Sequence, residues 1–160
     1  MSFIKKQTAG TWATFITLLL AVVSVGIYLV NIGGEGYFQN ASVAGVPLFF
    51  TLAILMLIAV LVLAQFSFQG ILGKSMDILS DAMRIITPVC VIAALMTLVS
   101  GRVEGFAFIY FSNEEVLQEV QTAANLSSAN GAIANMIALA VTAVAGMIAA
   151  FFNLKKKESI

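Results

Sequence analysis

The run that decides the fold reads VPLFFTLAILMLIAVLVLAQFS, residues 46–67, and it contains no charged residue. A helix needs about 20 apolar residues to cross the ~30 Å hydrocarbon core of a bilayer, so this run is long enough. Three further uncharged runs flank it, at about 9–32, 85–100 and 131–154. Four such runs in 160 residues predict a small multi-pass membrane protein, an all-α bundle of four transmembrane helices.

The composition supports the same class. Hydrophobic residues make up 61% of the chain and charged residues 10%, whereas soluble domains carry about 25% charge. One bundle and its loops account for the whole length, so residues 1–160 are predicted to form a single membrane domain. Its other parts are an interfacial helix at about 69–86 and two outer loops at about 33–45 and 101–130.

The basic residues are unevenly distributed, although the formal net charge is zero. Seven flank one set of span ends: Lys5, Lys6, Lys74, Arg84, Lys155, Lys156 and Lys157. Only Arg102 falls on the other side, with the acidic residues Glu35, Glu104, Glu114, Glu115 and Glu119. Basic residues near span ends favour the cytoplasmic side. The sequence therefore predicts that both termini are cytoplasmic, in the plasma membrane.

Small and polar residues recur at intervals of three and four in the first, third and fourth runs. The candidates for helix packing or for a polar pathway are Thr14, Thr17, Ser24, Tyr28, Thr97, Asn135 and Thr142. Transmembrane helices associate through small residues and through hydroxyl or amide hydrogen bonds. A period near 3.5 predicts left-handed crossings at roughly 20°. Packing is favoured over a pathway because Ala and Thr dominate the stripes.

An amphipathic segment precedes the third run. Ile71, Leu72, Met76, Ile78, Leu79 and Met83 share one face of a helical wheel, opposite Lys74, Asp77, Asp81 and Arg84. Such a segment next to a span predicts a helix in the cytoplasmic interface, with a bend at Pro88, which lacks an N–H. The helix either supports the short third span or contacts a partner through Met76, Leu79 and Met83.

The outer loops are predicted to form a small cap. The first contains glycines suited to a short hairpin, and residues 103–111 are aromatic and β-branched enough for a strand. Ser112 or Asn113 would cap a helix to about Asn125, separated from the fourth span by SSANG. Phe106, Phe108 and Tyr110 either lie at the headgroup level or contact a partner. Asn40 and Asn125 each begin a glycosylation sequon, whose use depends on the source.

The layout resembles the claudin-like and tetraspanin-like architectures, with four spans, both termini inside and a small outer sheet. Claudins carry a tryptophan and cysteine signature in an outer loop, and tetraspanins carry a paired-cysteine motif. Here the only tryptophan is Trp12 and the only cysteine, Cys90, lies within the third run. The resemblance therefore extends to architecture and assigns no family.

The function predicted from the sequence is non-catalytic. None of the four runs contains Asp, Glu, Lys, Arg or His, the residues that intramembrane catalysis and ion coupling use. No catalytic, cofactor or metal site is expected, and the inner charges are too few for nucleic-acid binding. We expect an accessory subunit or scaffold that contacts the bilayer and other membrane proteins or copies of itself. The alternative is an oligomeric channel or carrier for a small solute.

Overall fold

The computed structural model describes residues 8–66 and 70–154. Within these ranges the chain forms five helices and no strand. They are α1 (Ala9–Gly33), α2 (Val46–Leu63), α3 (Gly70–Phe111), α4 (Glu114–Val120) and α5 (Ala123–Ala150). All except α4 are long and apolar enough to cross a membrane. The fold is that of a helical bundle compatible with a multi-pass membrane protein. The basic residues at the two chain ends, which support the predicted orientation, lie outside the described residues.

Side-chain caps fix where three helices begin. The hydroxyl oxygen of Thr8 accepts from the N–H of Thr11 at 3.2 Å, and that of Thr122 accepts from the N–H of Asn125 at 3.2 Å. Asn113 caps α4 by accepting from the N–H of Val116 at 3.0 Å, which confirms one of the two predicted caps. Each cap satisfies a backbone donor that the first turn leaves unpaired.

The third long helix differs most from the prediction. A single helix of 42 residues, α3, replaces the interfacial helix at 69–86, the span at 85–100 and the strand at 103–111. The predicted strand is wrong, and the helix continues through Pro88, where a bend was predicted. Apart from the adjacent pair Thr87 and Pro88, the buried positions of α3 recur at intervals of three, four or seven: Gly73, Ser80, Arg84, Thr87, Pro88, Val91, Ala94, Leu98, Arg102, Gly105 and Ile109. From Ser80 to Ile109 this buried face is continuous, and its packing on the bundle keeps the segment helical.

Two contacts explain why local preferences are overridden. A Cβ on Gly146 would lie 3.4 Å from Pro88 Cβ and 3.5 Å from Thr17 Cγ2, so the proline ring lies against α5 at this glycine. Neighbouring helices of this kind allow proline within a membrane helix. At the far end of α3, the missing side chain of Gly105 makes room for the rings of Phe38 and Tyr37.

The loops are also more helical than expected. Helix α5 begins at Ala123, well before the predicted start at 131, so SSANG lies inside the helix rather than in a linker. Residues 34–45 form turns instead of the predicted hairpin, with Gly36 at φ +122° and Gly45 at φ +89°. The predicted short outer sheet is therefore wrong within the described residues.

The four long helices pack in a ring, with α1 on α5, α5 on α3, α3 on α2 and α2 on α1. The larger core cluster includes Tyr28, Phe50, Val91, Leu98 and Leu139. A second cluster contains Phe38, Ile109, Ala129 and Ala132, with Phe106 and Tyr110 packed against it. We refer to the end of the bundle near this second cluster as the Arg102 end and to the opposite end as the Arg84 end.

Candidate functional site

The polar stripes of α1 and α5 lie between helices. Thr14, Thr17, Ser24, Tyr28, Asn135 and Thr142 are all buried. Thr97 is only partly buried and lies beside Gly45 at the start of α2. The structure thus brings six of the seven candidate residues into the interior and leaves the seventh at its edge.

Most of the buried hydroxyls bond to their own helix. Thr14, Thr17, Ser24, Thr87 and Thr142 each donate to the carbonyl oxygen four positions earlier, at 2.7 to 2.9 Å. A hydroxyl bonded in this way has used its only donor, although its lone pairs can still accept a hydrogen bond. This arrangement is what helix packing requires.

One polar contact joins α1 to α5 near the middle of the bundle. The hydroxyl oxygens of Ser24 and Thr142 are 3.1 Å apart, and Asn135 Nδ2 donates to the carbonyl oxygen of Ser24 at 3.0 Å. The buried Asn135 Oδ1 has no hydrogen-bond partner among the described residues. Interhelical hydrogen bonds of this type stabilise membrane bundles by about 0.6 kcal/mol on average.

Arg84 joins α3 to the end of α5. Its Nη2 donates to the carbonyl oxygens of Ala149 and Phe152, which belong to the last turn of α5 and the residues after it. The carbonyl oxygen of Ala149 also accepts from the backbone N–H of Phe152 at 3.2 Å, and a cation at this end of the helix interacts favourably with the helix dipole. The ion pair with Asp81, at 3.4 Å, adds little because that carboxylate is exposed.

Arg102, unlike Arg84, is buried with most of its guanidinium group unpaired among the described residues. It is 1% exposed, and its guanidinium carbon lies 4.3 Å from the centroid of the Phe38 ring. Its Nε and Nη2 have no hydrogen-bond partner, and it forms no ion pair within residues 8–66 and 70–154. A cation–π contact offsets part of the desolvation of the charge. The expectation that Arg102 lies in an outer loop is wrong.

The residues predicted to contact a partner separate into two groups. Leu79 is exposed, and Met76 and Met83 are partly buried, all on α3 towards the Arg84 end. At the Arg102 end, Phe106 and Tyr110 pack on the second core cluster, whereas Phe108 is exposed beside Tyr37, with ring centroids 5.6 Å apart.

Sequence reasoning missed both buried arginines, which are 18 positions apart. A signal was present in the spacing, because Arg84 precedes Thr87 by three residues and Arg102 follows Leu98 by four. Both therefore continue the buried face of α3. The charge of both side chains predicts exposure, and this interpretation was given more weight than their spacing along the helix.

We expect Arg102→Met to leave the free energy of unfolding unchanged or to raise it by about 1 kcal/mol. Replacing a buried charge without full hydrogen bonding by an apolar side chain of similar size is often neutral or stabilising. The measurement is the unfolding of the protein in detergent, with the labelling of Cys90 as the readout. Cys90 is the only thiol in the chain and is partly buried.

The matched control is Val103→Met, which adds a methionine at the adjacent, exposed position of α3. A destabilisation of Arg102→Met by more than about 2 kcal/mol relative to this control would show that the guanidinium has a strong partner.

Comparisons of the chain with protein-family models, with curated proteins and with solved structures found no match.

Proposed function

We propose that the protein is a non-catalytic accessory subunit or scaffold that acts through contacts with other membrane proteins. The observation that carries this proposal is an exposed apolar face at the start of α3. We call residues 70–83 the α3 overhang, because they precede Arg84, whose side chain marks the level at which α5 ends. Gly10, near the start of α1, lies at this same end, beside Asn153.

The overhang is long and apolar on one side. Its 14 residues extend about 21 Å along a helix. Four large side chains on it are exposed: Ile71 by 85%, Ile78 by 71%, Leu72 by 68% and Leu79 by 44%. Covering such a face with another apolar surface is favourable by about 25 cal/mol for each Å² removed from water.

The charges of the overhang favour protein as the covering surface. Lys74 is accompanied by Asp77 and Asp81, so the overhang is not basic. A helix that binds an anionic membrane surface gains about 1 kcal/mol from each Lys or Arg near it. A near-neutral helix with an apolar face suits an apolar helix of a partner subunit or of a second copy.

We further propose a left-handed bundle in the plasma membrane with the Arg84 end and both termini in the cytoplasm. The support for this orientation is the excess of basic residues in the segments next to that end of the spans. The support for the handedness is the alternation of three and four in the buried positions of α1, α3 and α5.

Site-specific photo-cross-linking tests the contact surface. Leu79→Cys in a Cys90→Ser background is labelled with a benzophenone maleimide and irradiated in native membranes. We expect an adduct with another membrane protein or a second copy, identified by mass spectrometry. The control is Val89→Cys on the exposed side of the same helix, nearer the middle of the bundle. The proposal is wrong if Leu79→Cys gives no more protein adduct than Val89→Cys.

A solute channel or carrier is the alternative. The unpartnered Asn135 Oδ1 beside Ser24 is the observation that favours it, since a polar atom of this kind can contact a passing solute. The self-bonded hydroxyls of the stripes favour packing instead. Flux into liposomes separates the two functions: a subunit or scaffold gives no flux above that of empty vesicles.

A further inference from the structure

We infer that a groove between α1 and α5 at the Arg102 end binds one membrane lipid with a zwitterionic, amine-bearing headgroup. The groove has a volume of about 770 Å³. Its walls are Val23, Gly26, Ile27, Val30, Asn31, Gly34 and Glu35 on one side and Ala124, Ser127, Ser128 and Gly131 on the other. This inference concerns a different surface from the α3 overhang and does not depend on it.

The groove changes character along its length. On α1 it passes from Val23, Ile27 and Val30 to Asn31 and then to Glu35, just beyond the end of the helix. The stretch from Val23 to Gly33 covers about 15 Å along the helix. An apolar section below a polar one matches the acyl chain and headgroup of a lipid, because the apolar section belongs to a candidate membrane span.

Glycine gives the groove its depth. A Cβ built on Gly26 would meet no atom within 4 Å, so the space above this residue is open. Val30, one turn further along, is 75% exposed and forms part of the same wall. A chain of methylene groups lying over Gly26 would contact the side chains of Val23 and Val30.

The polar section can recognise both charges of the headgroup. Asn31 Nδ2 donates one hydrogen bond, to the carbonyl oxygen of Ser128 at 2.7 Å, and an amide NH₂ can donate two. The second N–H and the exposed hydroxyl of Ser127 can donate to a phosphate. The exposed Glu35 carboxylate can accept from an ammonium group.

The charge of the groove selects among lipids. Among its described lining residues, Glu35 is the only charged one. An anionic lipid would meet a carboxylate with no cation to offset it, and a quaternary amine has no N–H to donate. Phosphatidylethanolamine, whose ammonium donates hydrogen bonds, fits better than phosphatidylglycerol or phosphatidylcholine.

Native mass spectrometry of the purified chain with each of these three lipids in turn tests the inference. We expect a one-lipid adduct with phosphatidylethanolamine that is at least five-fold more abundant than with the other two lipids. Gly26→Leu should reduce this adduct about ten-fold by filling the groove. The matched control is Gly33→Leu, which adds the same side chain to α1 at another open position, outside the groove. Its adduct should stay at the unmodified level.

Glu35→Gln tests the headgroup separately, at an exposed position where the fold does not depend on the side chain. We expect it to abolish the preference for phosphatidylethanolamine over phosphatidylcholine. Equal adducts of all three lipids with the unmodified chain would overturn the headgroup assignment. No adduct, or the same adduct with Gly26→Leu, would overturn the lipid site itself.

A benzophenone on Val30→Cys, in the Cys90→Ser background, then identifies the occupant in native membranes. A lipid adduct supports the inference, and a protein adduct would show that the groove is a protein interface instead. Because Val30 and Leu79 are on different helices and at opposite ends of the bundle, these results are independent of the proposed partner contact.

Discussion

Arg84→Ala is expected to lower the free energy of unfolding by about 3 kcal/mol. The substitution removes both hydrogen bonds from Nη2 to the carbonyl oxygens of Ala149 and Phe152. Hydrogen bonds from charged groups contribute about 1.5–3 kcal/mol each, and the carbonyl oxygen of Ala149 keeps its bond from the N–H of Phe152. The measurement is detergent unfolding followed by Cys90 labelling.

Lys74→Ala is the matched control, because it removes the same charge from an exposed position of α3. Its effect on the free energy of unfolding should be within about 0.5 kcal/mol. Arg84→Lys should restore only part of the stability, since a single ammonium does not reproduce the planar fork of the guanidinium. Equal stabilities of Arg84→Ala and Lys74→Ala would contradict the role assigned to Arg84.

The second large effect is expected at Gly36, whose replacement by alanine should also lower the free energy of unfolding by about 3 kcal/mol. The backbone there has φ +122°, which a residue with a Cβ adopts only under strain. The new Cβ would also collide with the carbonyl oxygen of Ala124 and lie 2.7 Å from the Cβ of Ser128. The turn and the start of α5 would have to separate. Detergent unfolding followed at Cys90 measures the loss.

Gly33→Ala provides the comparison, because its Cβ meets no atom within 4 Å and its φ is not positive. Alanine has the higher helix propensity, so this variant should be neutral or more stable by about 0.5 kcal/mol. If Gly36→Ala unfolds no more easily than Gly33→Ala, the turn at residues 34–40 does not approach α5 as described.

The four apolar spans could be predicted from sequence because each reflects one property, uninterrupted hydrophobicity, whereas the extensions of α3 and α5 beyond these spans could not. The burial of Thr14, Thr17, Ser24 and Thr142 followed similarly from regular spacing. Features that depend on a distant neighbour could not be predicted in this way. Residues 103–111 have the composition of a strand, yet they continue α3 because Gly105 and Ile109 pack on the bundle.

The arginines illustrate the same limit for the site. Nothing near Arg84 in the chain indicates that its partners lie more than 60 residues later, at the end of α5. Phe38 likewise precedes Arg102 by more than 60 residues and reaches it only because of the close approach at Gly105. The groove between α1 and α5 also requires both walls, so neither sequence segment alone predicts it.

In the proposed membrane orientation, the spacing of the two arginines would limit how the bundle adapts to bilayer thickness. Eighteen positions of one helix correspond to about 27 Å, close to the ~30 Å hydrocarbon core, which differs by a few Å between membranes. Sliding α3 along the membrane normal would bring one guanidinium towards the hydrocarbon centre, where arginine costs at least about 2.5 kcal/mol. In a thinner membrane we therefore expect the helices to tilt together, since Arg84 couples α3 to α5. In a thicker one, the surrounding lipid must thin to meet the protein.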